Sequence, residues 1–474
     1  MKKILILILL FLSFKLNAKI ILPDILSDNA VLQQNTEITL WGEATPQTKV
    51  IINPSWTNKT FMTKSGKDGR WIIKIQTTKA SFEPQTITIS DGTPITISNV
   101  LIGEVWFCSG QSNMQMPLRG WPQCPIENSQ REILYSGDYQ NKIHSVNISN
   151  KGALTPQEYA QGKWVESTPE NAGKFSAVAY FYAKNLTKVL NVPIGIINCT
   201  WGGTRVEGWM PHKILKHYKD LDLSYEALSS SKRKWMHPEI MYNGMIHPLI
   251  NYTIKGFLFY QGEANLRFRV NYPQRLATMV KEWRKEWNIE ELPFYYVQIA
   301  PYQYRDTTNV LAAKIREDQE KALTLIPNSG MVCTIDLVKP YERYNVHYSN
   351  KEMVGFRLAL LALKRTYGVK GIVDEAPIYK DYRIQNNKIL VSFSNTYGGF
   401  NRSAFIKGFE IAGADKNFYP ANVEIKGFSQ ILVSSPKVSK PVAVRYCYKN
   451  FQIGNFGDQH NLPIYPFRTD NWEN

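Results

Sequence analysis

Val105-Trp106-Phe107-Cys108, followed by Ser109-Gly110-Gln111-Ser112-Asn113-Met114, is the stretch on which the reading of the fold turns. The first four residues are apolar without alternation, the mark of a strand covered on both faces, as the strands of a parallel sheet are. The segment after them is short, polar and glycine-containing, as a chain must be where a buried strand meets solvent. The same pattern recurs downstream. Apolar runs at 194–198, 256–260, 294–299 and 331–335 alternate with helical stretches at 176–190, 272–287, 310–325 and 351–367. In the last of these, Val354, Leu358 and Leu361 repeat at i, i+4 and i+7 and give one buried face. Apolar strands separated by helices predict an α/β domain over residues 102–370, its parallel sheet covered on both sides. Ligands of such sheets bind beyond the carboxyl ends of the strands, so chemistry is sought there.

Outward from this region the helices vanish in both directions. Residues 19–101 carry short β-type runs such as Ile38-Thr39-Leu40-Trp41, Lys49-Val50-Ile51-Ile52 and Thr86-Ile87-Thr88-Ile89, with a hairpin turn at Lys67-Asp68-Gly69-Arg70. They predict a small β-sandwich domain. Residues 371–474 read as a second antiparallel β domain, with runs at 388–393, 408–411, 423–425, 431–434 and 442–448 and a turn at Asn386-Asn387. Residues 1–18 read as a signal peptide. Met1-Lys2-Lys3 is a positive start, 4–14 is apolar apart from Ser13, and Leu16-Asn17-Ala18 ends in a small residue. That apolar run falls short of the roughly 20 residues a bilayer span needs. The expectation is an exported chain, periplasmic or secreted, with no integral membrane segment in its mature form.

Composition excludes several classes. With 43% hydrophobic and 20% charged residues, the chain of 474 is neither disordered nor a membrane bundle. The net charge of +16 comes without a basic block or a nucleic-acid motif, so a nucleic-acid partner is not expected and mild attraction to anionic substrates is the most the charge allows. The five cysteines are odd in number and lack the spacing of a disulfide scaffold or a zinc site; Cys108, Cys199 and Cys333 lie in apolar runs and read as buried core. No His-x-x-x-His, Cys-x-x-Cys, Gly-x-Gly-x-x-Gly or P-loop pattern occurs, so neither a metal nor a cofactor is expected.

Polar clusters stand at successive strand ends: Ser109 to Met114; Asn198-Cys199-Thr200-Trp201-Gly202-Gly203-Thr204-Arg205; Gln261-Gly262-Glu263-Ala264-Asn265; and Asp336 followed by Asn345-Val346-His347. These residue types permit acyl transfer. A serine hydroxyl becomes a nucleophile when an imidazole takes its proton, and the oxyanion that forms needs fixed N–H donors. Gly203 presents its N–H without a side chain in the way, and Gln261 or Asn265 supplies an amide. Taken singly, a Gly-x-Ser is usually a turn, and Gln261 and Glu263 could simply solvate a strand end; the force lies in finding the clusters together. Among seven histidines, His347 alone follows a core strand and opens a helix, which makes it the best general base. Substrate contacts are expected from Gln111 and Asn113 beside the serine, from Arg205 two residues past the glycine pair, and from Asn243 in the loop between His237 and His247.

At these residues the sequence resembles the sialate O-acetylesterase family, a branch of the SGNH (GDSL-like) hydrolases. The resemblance runs through Gly103-Glu104-Val105-Trp106-Phe107-Cys108-Ser109-Gly110-Gln111-Ser112-Asn113-Met114, Trp201-Gly202-Gly203-Thr204, Tyr242-Asn243-Gly244-Met245-Ile246-His247-Pro248 and Phe259-Tyr260-Gln261-Gly262-Glu263-Ala264-Asn265. It implies a flavodoxin-like SGNH domain, with Ser112 as nucleophile and first oxyanion donor and Gly203 as second. It further implies Gln261 as the side-chain amide, with Asn265 as the alternative, and His347 as base. One departure stands out. The family carries an Asp two or three residues before the histidine, whereas here Asn345 and Tyr344 occupy those positions. Asn345 could accept the imidazole Nδ1–H through its amide oxygen; Asp336, Glu342 or Glu263 could stand in; or a backbone carbonyl could orient a dyad. The expectation is a serine esterase acting on O-acetylated sugar, with sialic acid favoured. An esterase of acetylated xylan or another polysaccharide is the alternative, and a non-catalytic carbohydrate-binding protein the third reading.

Overall fold

The run at 105–108 is the middle of a 17-residue strand, β1 (Pro94–Gly110), buried at every position from Val100 onward. The computed structural model describes residues 20–472, so the expected leader at 1–18 lies outside the described residues. Around β1 are arranged β2 (Ile143–Asn147), β3 (Trp164–Glu166), β4 (Ile194–Thr200), β5 (Gly256–Tyr260), β6 (Phe294–Val297) and β7 (Ser329–Val332). Their order is β7-β6-β5-β1-β4-β2-β3, and every neighbouring pair is parallel except β2 with β3. Counted over β1, β4, β5, β6 and β7, this is the doubly wound order 2-1-3-4-5. The sequence reading lacks β2 and β3. β2 alternates Ile143-His144-Ser145-Val146, which reads as half-exposed, yet all four are buried. The ring nitrogens of its His144 lie 2.7 and 3.1 Å from the carbonyl oxygens of Asn29 and Gln140, and the N–H of the neutral ring donates to one of them.

Helices α1 (Ser112–Gln115), α2 (Ala177–Leu190), α3 (Tyr272–Glu286), α4 (Leu311–Leu323) and α5 (Glu352–Leu361) cover the sheet. Alternation along β1 assigns each side chain to a layer. Val105 and Phe107 join Leu276, Met279 and Trp283 of α3 and Ile315 of α4. Trp106 and Cys108 join Val178 and Tyr182 of α2 and Val354 and Leu358 of α5. Rings meet edge-on in both layers, Trp106 with Tyr182 at 5.2 Å and Phe107 with Trp283 at 6.2 Å. The helix expected over 351–367 is interrupted, because α5 passes into a π-type turn at Ala362–Thr366. Cys108, Cys199, Cys333 and Cys447 are buried free thiols, and Cys124 is a partly exposed one.

The boundary expected between 101 and 102 falls inside β1. Its first half pairs antiparallel with Ser81–Ser90, and Leu101 to Gly103 pair parallel with Val31–Gln33, so a single strand serves both regions. A separate antiparallel pair, Glu37–Glu43 with Arg70–Gln76, faces it. Beyond α5 lie two four-stranded antiparallel sheets. Ile389, Val391 and Val433 of one meet Phe409, Ile411 and Val444 of the other, with Phe393 and Phe467 in edge contact at 5.6 Å. This part is bound to the central sheet by buried polar contacts: Arg316 of α4 donates to the carbonyls of Cys447 and Lys449, and Tyr465 Oη–H donates to Met331 O at 2.6 Å.

β1 ends at Gly110, where φ is +123° and a Cβ would lie 2.2 Å from Tyr260 O. Gly110→Ala should therefore destabilise the fold by about 2–4 kcal/mol, from backbone strain and forced separation of β1 from β5. Urea unfolding checks it; a change under about 0.5 kcal/mol, the usual size for an unstrained surface site, would show that the turn relaxes freely.

Candidate active site

The sharp turn at Gly110 is held by its neighbours. Gln111 N–H donates to Tyr260 O at 2.9 Å and Trp201 N–H to Gly110 O at 3.0 Å, which brings the ends of β1, β4 and β5 together. Ser112 opens α1 at this junction, and His347 stands just ahead of α5. The two side chains meet: His347 Nε2 lies 2.9 Å from Ser112 Oγ. The imidazole also packs edge-on against Trp121, with ring centroids 4.9 Å apart. Next to the serine, Gly202 donates its N–H to Gln115 Oε1 at 2.9 Å, and a Cβ on it would stand 3.3 Å from Ser112 Cβ. Gly203 follows with φ +73°, a conformation suited to glycine.

Behind the pair lies a buried chain of charge. Lys351 Nζ, fully buried, donates to Asn113 Oδ1 at 2.8 Å and sits 3.5 Å above the Tyr348 ring. Asn113 Nδ2 donates to Glu263 Oε1 at 2.6 Å and to Val346 O at 3.1 Å. One asparagine thus ties the serine turn, the end of β5 and the histidine loop into one unit. Burial pushes the Glu263 carboxyl up and the Lys351 ammonium down to about 7. His347 is lowered to about 4, first by burial and then by the charge of Lys351, so its imidazole is neutral and able to accept a proton over most of the pH range.

Several expected roles do not survive the geometry. Gln261 Nε2 donates both hydrogens inward, to Thr204 O at 3.1 Å and Asn265 Oδ1 at 2.7 Å, and so offers none to an oxyanion. Asn265 is equally committed: its Oδ1 also accepts Val206 N–H, and its Nδ2 donates to the Glu207 carboxylate. Glu207 in turn pairs with buried Arg275 at 2.6 Å, so the Gln-Gly-Glu segment is braced from below. Asn113, with its amide spent on Glu263 and Val346, is a brace rather than a substrate contact. Asn243, buried in the turn Tyr242–Ile246, donates to Ala153 O at 3.2 Å and secures a loop. Arg205 donates to Met236 O at 2.9 Å and stacks on Phe268 at 4.5 Å; it lies under the 234–236 turn. Gln111 accepts N–H bonds from Gly262 and Ala264 through Oε1, while its Nε2 has no hydrogen-bond partner among the described residues.

The candidates for a triad acid are also occupied. Asn345 Oδ1 accepts the backbone N–H of His347 at 3.0 Å and the Cys124 thiol at 3.4 Å, so it shapes the loop and does not hold the ring. Asp336 forms a two-point pair with Arg357 at 2.8 and 2.6 Å. Glu342 accepts the N–H groups of Lys339 and Ser349, and Glu263 faces Asn113. Among the described residues, none of these carboxylates accepts a hydrogen bond from His347 Nδ1, and the arrangement is a Ser–His dyad. The sequence reading missed Lys351 and Trp121. Lys351 lies in the non-helical stretch between His347 and α5, where no periodicity signals its contact with Asn113, and a lysine in a loop reads as solvated.

Comparison with known proteins gives this geometry a context. A family model described as carbohydrate esterase, sialic acid-specific acetylesterase, matches residues 102–364, more than half of the chain. The chain is 28% identical over 405 residues to the human sialate O-acetylesterase, covering 78% of this chain and 75% of that protein. With the mouse sialate O-acetylesterase the identity is 27% over 492 residues and 90% of each chain. Among solved structures, a carbohydrate acetylesterase from Xanthomonas citri superposes with a TM-score of 0.85 at 33% identity, over 96% of this chain and all of that one. The family match over more than half of the chain, together with these likenesses, leads to one conclusion: the chain belongs to the sialic acid-specific acetylesterase family of carbohydrate esterases and is a carboxylic ester hydrolase.

Proposed function

We propose that the chain removes O-acetyl groups from sialic acids through a serine acyl-enzyme. The observation that carries the reading is the 2.9 Å contact between Ser112 Oγ and a half-buried His347 Nε2 at the junction of three strand ends. As Oγ attacks the acetyl carbonyl carbon, His347 takes the hydroxyl proton, and the carbonyl π electrons move onto oxygen. The N–H groups of Ser112 and Gly203, which have no partner among the described residues, stabilise that oxyanion. The intermediate collapses by breaking the bond to the sugar oxygen, which receives the proton from the imidazolium. Water, deprotonated by His347, then attacks the acyl-enzyme and releases acetate and free Ser112. With no carboxylate on Nδ1, and with burial and the charge of Lys351 both disfavouring the imidazolium, the proton is held only briefly on His347 before it passes to the leaving oxygen. The sialate reading draws on the family and its curated relatives; the structural neighbour, a carbohydrate acetylesterase, keeps acetylated neutral polysaccharide as a second reading.

We also infer export. The Lys2-Lys3 start and the apolar run after it support removal of a leader, and among the described residues no helix is long and apolar enough to cross a membrane.

Ser112→Ala should lower turnover of O-acetyl sialate and of 4-nitrophenyl acetate by about 10^3-fold or more, with the circular-dichroism spectrum unchanged. Wild-type turnover in that variant would remove Ser112 from the mechanism. The pH dependence has a defined sign. A base must be neutral, so kcat/KM should hold down to about pH 4 and fall below it as His347 gains its proton. Lys351→Met removes a neighbouring positive charge, favours the imidazolium and should move this acid limb upward towards the ordinary histidine range. An unmoved limb would mean that burial alone sets the basicity of His347.

A further inference from the structure

Beside Gly203 lies a small cavity of about 250 Å³, lined by Leu154, Trp201, Lys234, Trp235 and Ile240 among others. We propose that it is the sugar subsite: Trp201 and Trp235 wall a single pyranose ring, and Lys234 takes the sialate carboxylate. This assignment rests on the esterase reading and adds where the sugar, rather than the acetyl group, is held.

Position is the first argument. Trp201 is the residue after β4, and Gly202 approaches Ser112. The indole Nε1 of Trp235 lies 3.2 Å from where a Cβ on Gly203 would be, so the absence of a side chain there lets the indole come close to the oxyanion donor. The cavity therefore begins beside Gly202, which approaches Ser112, and beside Gly203. Its size, at the lower end for ligand pockets, suits one ring and not an extended chain.

Chemistry is the second. Trp235 is 37% exposed and Leu154 is 44% exposed, an apolar surface left open beside a catalytic turn. The C–H face of a pyranose is the apolar surface such indoles cover, while its hydroxyls remain in water. Charge completes the fit. Arg205, the cation expected to face the sugar, is committed to Met236 O and Phe268; it holds the turn Lys234–Met236 from beneath. That turn presents Lys234 to the cavity, and no ion pair to Lys234 occurs among the described residues. An ammonium on a flexible stem is a suitable partner for a carboxylate that desolvates as the ring enters.

The test compares kcat/KM for three esters: O-acetylated N-acetylneuraminate, acetylated xylan and 4-nitrophenyl acetate. For Lys234→Met, the ratio of sialate ester to 4-nitrophenyl acetate should fall about tenfold, chiefly through KM, as expected for losing one charge-assisted contact. The corresponding xylan ratio should stay as it was, and Lys234→Arg should recover the sialate value. For Trp235→Ala, the sialate ratio should fall about tenfold or more, with Trp235→Phe recovering part of it. Thermal unfolding midpoints within a few degrees of wild type exclude collapse of the turn as the cause. An unchanged sialate ratio in Trp235→Ala overturns the subsite; an unchanged ratio in Lys234→Met overturns the carboxylate contact. Should the wild type hydrolyse 4-nitrophenyl acetate and xylan but not the sialate ester, the sialate reading fails and takes the Lys234 proposal with it. Should 4-nitrophenyl acetate alone be a substrate, both fail.

Discussion

The second half of β1 has no face that can meet water. It is buried from Val100 to Gly110 and is paired through its backbone to β4 from Glu104 and to β5 from Trp106, so the rest of the chain is arranged around its enclosure. A parallel strand satisfies its polar backbone only through such neighbours, and its alternating side chains need apolar cover above and below. Functional groups are thereby driven to the strand ends. There the Gly110 turn, too close to Tyr260 O for any Cβ, delivers Ser112 to the start of α1. The N-terminal sheet shares this strand, which couples its packing to the same axis.

The polar groups around the dyad divide into reacting groups and braces. Gln261, Asn265, Glu207 and Arg275 form one buried ladder; Lys351, Asn113 and Glu263 form another. The side-chain amides of Gln261, Asn265 and Asn113 are used up by the protein itself, which lowers the penalty of burying them, while Glu263 Oε2 and Arg275 Nε stay buried without a hydrogen-bond partner among the described residues. Rigidity is what they contribute. They hold three strand ends and the histidine loop in register, so that the half-buried Ser112 hydroxyl and His347 imidazole need no further adjustment to meet. The lysine adds an electrostatic effect: it disfavours the imidazolium, whereas the aspartate usual in a triad would favour it.

How much of this was legible depended on range. The order of apolar strands and amphipathic helices, the two β regions, the glycine turn before Ser112 and the place of His347 ahead of a helix all follow from local pattern: periodicity, turn residues and burial of uninterrupted apolar runs. β2 and β3 were not legible, because His144 and Ser145 look solvated until Asn29, distant in sequence, supplies a carbonyl. Nor was the interruption of the last helix. The resemblance carried Gln261 and Asn265 as oxyanion donors, and only the hydrogen-bond partners show where their amides point.

What the sequence by itself determined is the class of fold and the kind of chemistry, since hydrophobic period and strand-end composition act over a few residues. What only the tertiary structure decided is which polar atoms remain available. Asn345 has an oxygen that could hold an imidazole, but it is turned to the backbone N–H of His347 and to Cys124. Arg205 has a charge suited to a carboxylate, but it is turned to Met236 and Phe268. Lys351 is an ordinary surface residue type, but here it is buried four residues from the base. A side chain's role depends on which partner it meets first, and those partners come from strands and loops that folding brings together across the length of the chain.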